Sequence, residues 1–390
     1  MSTPPSSAAS SPLPSTSAAN NSARLLDGLR WLSDTPPPKR HVAADDTLTA
    51  DAAFRLAAEG TAMVWQGDFQ NARQLLQALA RRLDKRAPNY SRGDTAPGLA
   101  DDFHRYRMAQ AQRARTLGRL LIPLQAGWQI PLRRAPDVAA ACTHALGALD
   151  APAVLPLTEL QGMIGAWEWA QRGVDVPALG ATIHAHYGVF APVRGEYVDL
   201  IAKAPLPAPC ATALDLGTGT GVLAAVLARR GVGQVLACDA SPRAVACARD
   251  NIARLKLGAS ITVVAADGFP AQVGLFDLIV CNPPWLPGKA GSLLEQAVYD
   301  PDSRLLRTLL ADAGAHLTAH GELWLVLSDL AERLGLRTRD TLTGWMHAGG
   351  WRVIERHDTR PTHPRSRDAS DPLHAARAGE ITSLWRLGRA

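Results

Sequence analysis

Hydrophobic and polar positions change their rhythm midway along the chain. Past Ala213, short β-rich apolar runs at residues 213–216, 235–238, 261–264, 278–281 and 323–327 alternate with helical segments. Strands separated by helices predict a parallel, doubly wound sheet. Two later runs, 351–355 and 381–387, flank a polar segment and read as a closing antiparallel pair, giving seven mostly parallel strands in a Rossmann-like α/β fold. Ahead of Ala213 the spacing is mostly helical. Between residues 49 and 86, Phe54, Met63, Trp65, Phe69, Leu75, Leu79 and Leu83 suggest a helical hairpin interrupted at Gly60 and Gly67. Further helices are expected over 24–32, 101–121, 137–149 and 157–172, so this half reads as all-α.

Length and composition sharpen the division. At 390 residues with 47% hydrophobic content, the chain is long enough for two domains with a sizeable core. The expected organisation is a Ser/Pro/Ala-rich tail and linker over 1–44, a helical accessory or substrate-recognition domain over 45–185, and a catalytic domain over 186–390. The first 22 residues read as disordered and lack the basic and apolar regions of a secretory signal. No uncharged apolar run reaches the roughly 18 to 20 residues of a membrane span, so no membrane partner is expected. Cys142, Cys210, Cys238, Cys247 and Cys281 form no C-x-x-C pair and have no histidine cluster nearby. Neither a disulfide framework nor a metal site is therefore expected, and a reducing cytoplasm fits. Nothing in the sequence fixes an oligomeric state.

The net charge of +5 conceals clustering. Between Arg73 and Arg134 stand thirteen basic residues, opposed by Asp84, Asp94, Asp101 and Asp102. Phe103, His104 and Tyr106 are interleaved with them. Two readings stay open: a phosphate-tracking surface for RNA with stacking aromatics, or solvated helix faces.

Candidate chemistry begins at residues 213–221, where a strand runs into Gly217-Thr218-Gly219-Thr220-Gly221 and then into a helical segment. Glycines let a ligand approach the backbone and supply positive φ in a tight turn. Twenty residues past Gly219, Asp239 ends the next strand, where a carboxylate can accept ribose hydroxyls. Taken alone, Gly219-x-Gly221-x-x-Ala224 also satisfies a relaxed dinucleotide fingerprint, which leaves a nicotinamide oxidoreductase in competition. Asp267-Gly268-Phe269 then ends the third strand and Asn282-Pro283-Pro284-Trp285 the fourth. Four successive strands thus deliver polar or glycine residues at their carboxyl ends, where open α/β sheets bind ligands.

With these motifs in this order, the segment from about His186 onward resembles class I S-adenosylmethionine-dependent methyltransferases of the small N-methyltransferase group, marked by Asn-Pro-Pro-aromatic. The resemblance implies that Asp215 and the loop Gly217, Thr218, Gly219 and Gly221 wrap the methionine part of the cofactor. Asp239, followed by Ala240, would hold the ribose, and Asp267 with Gly268 would face the adenine. Asn282, Pro283, Pro284 and Trp285 would be catalytic. The Asn282 side-chain oxygen and the Pro283 carbonyl are two acceptors suited to an NH₂ group, and Trp285 offers a flat face.

The preceding segment, with Tyr187, Phe190, Arg194 and Glu196 as candidate substrate contacts, resembles the corresponding stretch of protein-glutamine methyltransferases. That group usually reads Pro-Arg-Pro-Glu there and Tyr at the position of Trp285. The expected function is methylation of a planar nitrogen on a macromolecule, with protein glutamine ahead of an RNA base amine. An inactive methyltransferase fold that binds nucleic acid is the alternative of another class.

Overall fold

The computed structural model describes residues 25–26, 28–86, 96–271, 274–361 and 371–390. The expected disordered tail and residues 362–370 of the polar segment between the last two strands lie outside the described residues.

The N-terminal half contains β1 (Leu25–Leu26), β2 (Leu29–Trp31), β3 (Arg40–Ala44), α1 (Ala50–Ala58), β4 (Thr61–Trp65), α2 (Phe69–Asp84), α3 (Ala96–Leu117), β5 (Leu120–Leu124), α4 (Ala139–Leu146), β6 (Ala153–Pro156) and α5 (Leu157–Arg172). Its strands form a sheet in the order β1-β2-β6-β5-β4-β3. The all-α expectation is therefore corrected: this half is itself α/β. The helical hairpin expected over 49–86 is α1, a buried strand and α2, and the helix expected over 24–32 is the β1–β2 pair. The runs at β4, β5 and β6 are short, apolar and almost wholly buried, and such runs carry no period that separates a strand from a buried helix. Gly60 and Gly67 bound β4 rather than interrupt a helix. Where helices were expected and caps exist they form: Thr49 caps α1, and Asp68 caps α2 by accepting from Gln70 N.

In open sheets a ligand crevice lies beyond the carboxyl ends of parallel strands. Beyond β3 and β4, Asp46 pairs with Arg133 at 2.9 Å and Asp68 with Arg134 at 2.7 Å. Gly67 lies so close to Asp46 that a Cβ there would meet its Oδ1 at 2.5 Å.

The C-terminal half contains β7 (Val174–Val176), β8 (Ala181–Ile183), α6 (Glu196–Lys203), β9 (Thr212–Leu216), α7 (Val222–Arg229), β10 (Gln234–Asp239), α8 (Pro242–Arg254), β11 (Ile261–Ala265), β12 (Phe276–Cys281), α9 (Arg304–Asp312), β13 (Leu317–Ser328), α10 (Leu330–Arg333), α11 (Arg339–Ala348), β14 (Trp351–Thr359), α12 (His374–Ala378) and β15 (Thr382–Arg389). The seven-stranded order is β11-β10-β9-β12-β13-β15-β14. The first five strands are mutually parallel and the β14–β15 pair is antiparallel, as the pattern predicts. Central strands β9 and β12 read as near-continuous apolar runs because helices cover both faces. Val176, Leu179 and Ile183 of the β7–β8 hairpin join the same core as α6 and α7, so this core begins ahead of residue 186.

Chain order reverses beside β9, whose neighbours are β10 and β12. That switch point is where the crevice of such a sheet opens. The two halves meet beside it: Arg243 of α8 donates to the Ala145 carbonyl of α4, and the ring of His144 of α4 lies 4.7 Å, centroid to centroid, from that of His186. Among the described residues no helix is long and apolar enough to cross a membrane.

Candidate active site

Gly217, Gly219 and Gly221 all take positive φ, at 75°, 55° and 81°. A Cβ at Gly217 or Gly219 would meet no protein atom within 4 Å, so the space against these two backbones is open to a ligand. At Gly221 a Cβ would press on Ala248 at 3.3 Å, so the third glycine serves helix packing. The turn is pinned from behind, because the N–H groups of Gly217 and Thr218 both donate to the Cys238 carbonyl at 2.9 Å.

Asp215 is placed differently from the expectation that it wraps the methionine part. It is buried, and its Oδ2 accepts from Thr218 Oγ1 at 2.6 Å and from the Ala224 N–H at 3.0 Å. It ties the loop to the first turn of α7 instead of lining the cleft. Burial is the main cause that pushes its pKa up to about 6, against these two hydrogen bonds.

Asp239 does line the cleft. Its Oδ2 accepts the Gly219 N–H at 3.0 Å and its Oδ1 the Ser241 N–H at 2.8 Å. Each carboxylate oxygen keeps a further lone pair for a hydroxyl. Ala240, Asp267 and Gly268 lie on the same wall. Beside them the Phe269 ring stacks on His316 with centroids 4.2 Å apart, and a side cavity of about 430 Å³ opens there. It shares Leu216, Asp267, Gly268 and Leu305 with the main cleft, which makes a slot for a flat ring.

The main cleft encloses about 1120 Å³ and brings the glycine loop, Asp239 and the Asn282-Pro283-Pro284-Trp285 stretch to one space. Trp285 packs against the cores on both sides of the sheet, and its indole N–H donates to Asn282 Oδ1 at 2.9 Å. Of the earlier candidates, Phe190 and Arg194 line the cleft. Tyr187 instead packs on the core of the N-terminal half, where burial pushes its pKa up to about 12. Glu196 begins α6, and its buried Oε1 has no partner among the described residues.

Sequence reasoning missed the residues that complete the walls. Leu305, Arg243 and Glu380 come from helix starts and a loop far apart in sequence, and no local pattern marks them. In the basic stretch, the structure bears on the two readings left open. Phe103 is buried, and with Tyr106 it packs against Leu286, Val298 and Tyr299 of the catalytic half. Neither ring is placed for the stacking that the RNA reading allowed: both belong to a hydrophobic seam. Arg107 of α3 pairs with Glu295 at 2.7 Å, donates to the Lys289 carbonyl at 2.6 Å and lies 3.8 Å above the Tyr299 ring. Arg82, Arg133 and Arg134 pair with Asp51, Asp46 and Asp68, acids that lie outside the basic stretch in sequence. Arg92 lies outside the described residues.

Sheet order and cleft together define a class I methyltransferase fold with its cofactor crevice at the switch point. In agreement, residues 180–336 match the family model described as the methyltransferase small domain. Among similar proteins, a release factor glutamine methyltransferase of Cereibacter sphaeroides is 36% identical over 144 residues, covering 34% of this chain and 51% of that protein. A ribosomal RNA small subunit methyltransferase C of Salmonella choleraesuis is 32% identical over 168 residues, covering 43% and 44%. A ribosomal protein L11 methyltransferase of Rhizobium johnstonii is 31% identical over 195 residues, covering 48% and 59%. The chain spans about half the length of the relatives it matches. The matched segment is similar to methyltransferase domains of the S-adenosylmethionine-dependent class, and its site fits that cofactor: open glycine backbones, a carboxylate with spare lone pairs, and a side cavity beside Asp267 and Gly268.

Proposed function

We propose that the protein is an S-adenosylmethionine-dependent N-methyltransferase acting on a planar amide nitrogen, a glutamine side chain of a protein. The observation that carries the reading is the Asn282 oxygen, held by Trp285 inside the cleft that the glycine loop and Asp239 also line. When bound, the cofactor supplies a methyl group activated by the positive sulfur.

The chain supplies position and charge. Asn282 Oδ1 has one lone pair committed to the indole and one left for an N–H of the target; the Pro283 carbonyl takes the other N–H. Holding both hydrogens in fixed places aims the nitrogen lone pair and draws electron density back from its carbonyl. Pro283 and Pro284 restrict the backbone that presents these acceptors. No strong base is required, because the nitrogen becomes acidic as it is alkylated and its proton can pass to water.

Three observations favour protein over RNA. The cleft carries exposed Phe190 and Val193, 40% and 48% accessible, and its four arginines, Arg30, Arg194, Arg243 and Arg377, are matched by Asp34, Asp239, Asp267 and Glu380. Several arginines of the basic stretch are engaged by carboxylates. Relatives named release factor glutamine methyltransferase recur among the similar proteins. The test is transfer of labelled methyl to a purified bacterial release factor and to ribosomal RNA. Label in the release factor, lost when its glutamines are replaced, supports the reading. Label only in RNA would move the activity to a base amine.

A further inference from the structure

We propose that Glu380 is a specificity-determining residue that accepts a main-chain N–H of the target peptide and so sets the glutamine segment in register with Asn282. The inference rests on the glutamine reading above. Glu380 is fully buried, at 0% exposure, yet lines the cleft. Its Oε1 accepts from Ser328 Oγ at 2.7 Å and faces Arg194 Nη1 at 3.5 Å. Its Oε2 has no partner among the described residues. An unmet acceptor on a buried carboxylate is costly, so this oxygen is set for a donor that arrives with the substrate. Arg377 lines the same wall, and its buried Nε likewise has no partner among the described residues. One unmet acceptor and one unmet donor on one wall match the N–H and C=O of a peptide unit.

Sheet register places Glu380 relative to the chemistry. β12, β13 and β15 are consecutive neighbours: Cys281 pairs with Leu325, Leu325 with Trp385, and Ser328 with Thr382. Continued past these pairs, the register sets Asn282 level with Val326 and Glu380 two residues beyond Ser328, so the two are offset by about four residues along the strands as well as by two strand spacings, on the order of 16 Å between backbones. The main-chain nitrogen of a glutamine stands five bonds, roughly 6 Å, from its side-chain nitrogen, and with a hydrogen bond at each end and the two protein side chains it bridges that distance.

The test compares wild type, Glu380→Gln and Glu380→Ala on a glutamine peptide with a release-factor sequence, and on the same peptide methylated at the glutamine main-chain nitrogen. S-adenosylmethionine affinity, measured by calorimetry, reports an intact fold. Wild type is expected to show a KM about tenfold higher for the N-methylated peptide. Glu380→Gln is expected to raise KM for the parent peptide about tenfold, with kcat within about twofold, cofactor affinity unchanged and no distinction left between the two peptides. Glu380→Gln keeps the shape and the Ser328 contact, so it carries the test if the alanine variant fails to fold. Unchanged peptide KM in the glutamine variant, or retained discrimination, overturns the role of Glu380 alone. A wild-type protein that methylates neither the peptide nor intact release factor defeats the glutamine reading and this one with it.

Discussion

The indole N–H of Trp285 donates to the Asn282 side-chain oxygen at 2.9 Å. An indole can only donate, so the contact fixes which end of the Asn282 amide is oxygen and where that oxygen points. Trp285→Phe keeps an apolar ring against both cores and removes the donor. Turnover is expected to fall about threefold to tenfold, the effect of one neutral hydrogen bond of about 1 kcal/mol, with cofactor affinity unchanged. An unaltered kcat would show that Asn282 is oriented by its backbone alone.

Asn282→Ala removes the acceptor itself. With the glycine loop and Asp239 untouched, calorimetry should find S-adenosylmethionine binding within about twofold of wild type. Turnover should drop by about a hundredfold or more, the range seen when a positioned polar group at a reacting centre is deleted. Turnover close to wild type would remove Asn282 from the chemistry.

How far the sequence discloses this molecule depends on the kind of order involved. The strands of the C-terminal sheet were legible because each short apolar run is followed by a residue type with a chemical purpose: Gly217, Asp239, Asp267, Asn282. The N-terminal sheet was not, because β4, β5 and β6 are buried runs of four or five residues that fit a helix as well, and no motif follows them. Asp215 stands two residues before the loop, and the family resemblance implied ligand contact; only the fold shows its carboxylate bound to Thr218 and Ala224. Charge left its two readings open for a similar reason. A count along the chain sees Arg133 and Arg134 without Asp46 and Asp68, which the parallel strands bring beside them.

Those pairings bear on nucleic acid directly. A protein tracking six to ten phosphates loses about a thousandfold or more in affinity between 50 and 200 mM salt. With Arg82, Arg107, Arg133 and Arg134 already engaged by carboxylates, binding of the full chain to a structured RNA should weaken by only about tenfold over that range, the response of about two phosphate contacts. Filter binding across the salt series checks this, and a steep slope would restore the RNA surface.

Arg107 closes the segment that follows the catalytic loop. Residues 286–300 fold back on themselves through the hydrogen bonds Leu286 N to Val298 O and Asp300 N to Leu286 O. Glu295 staples that loop by accepting from Gly291 N with one oxygen and from Arg107 with the other. Arg107→Ala should loosen it, seen as faster tryptic cleavage at exposed Lys289 and a several-fold lower kcat/KM, since Tyr299 lines the cleft. Arg107→Lys should recover little, because an ammonium cannot make both contacts and lie flat over the ring. Equal cleavage rates in wild type and variant would show that the hydrophobic seam alone holds the loop.

Asp215 gives the pH dependence its sign. Its folded pKa is raised to about 6 from an ordinary 3.8, chiefly by burial, so folding favours the protonated form. The associated stability is fully present below about pH 4 and is lost as pH rises through 6; two pKa units correspond to roughly 3 kcal/mol. Asp215→Asn keeps an oxygen for Thr218 and Ala224 but cannot ionise. In the absence of cofactor, the thermal midpoint of the variant should rise relative to wild type as pH goes from 4.5 to 7.5. Its affinity for S-adenosylmethionine should fall, because a negative charge behind the loop has been removed from the neighbourhood of a cation. A midpoint difference that shrinks with rising pH would mean that the carboxylate is stabilised in its charged form, and that its contacts to Thr218 and Ala224 outweigh its burial.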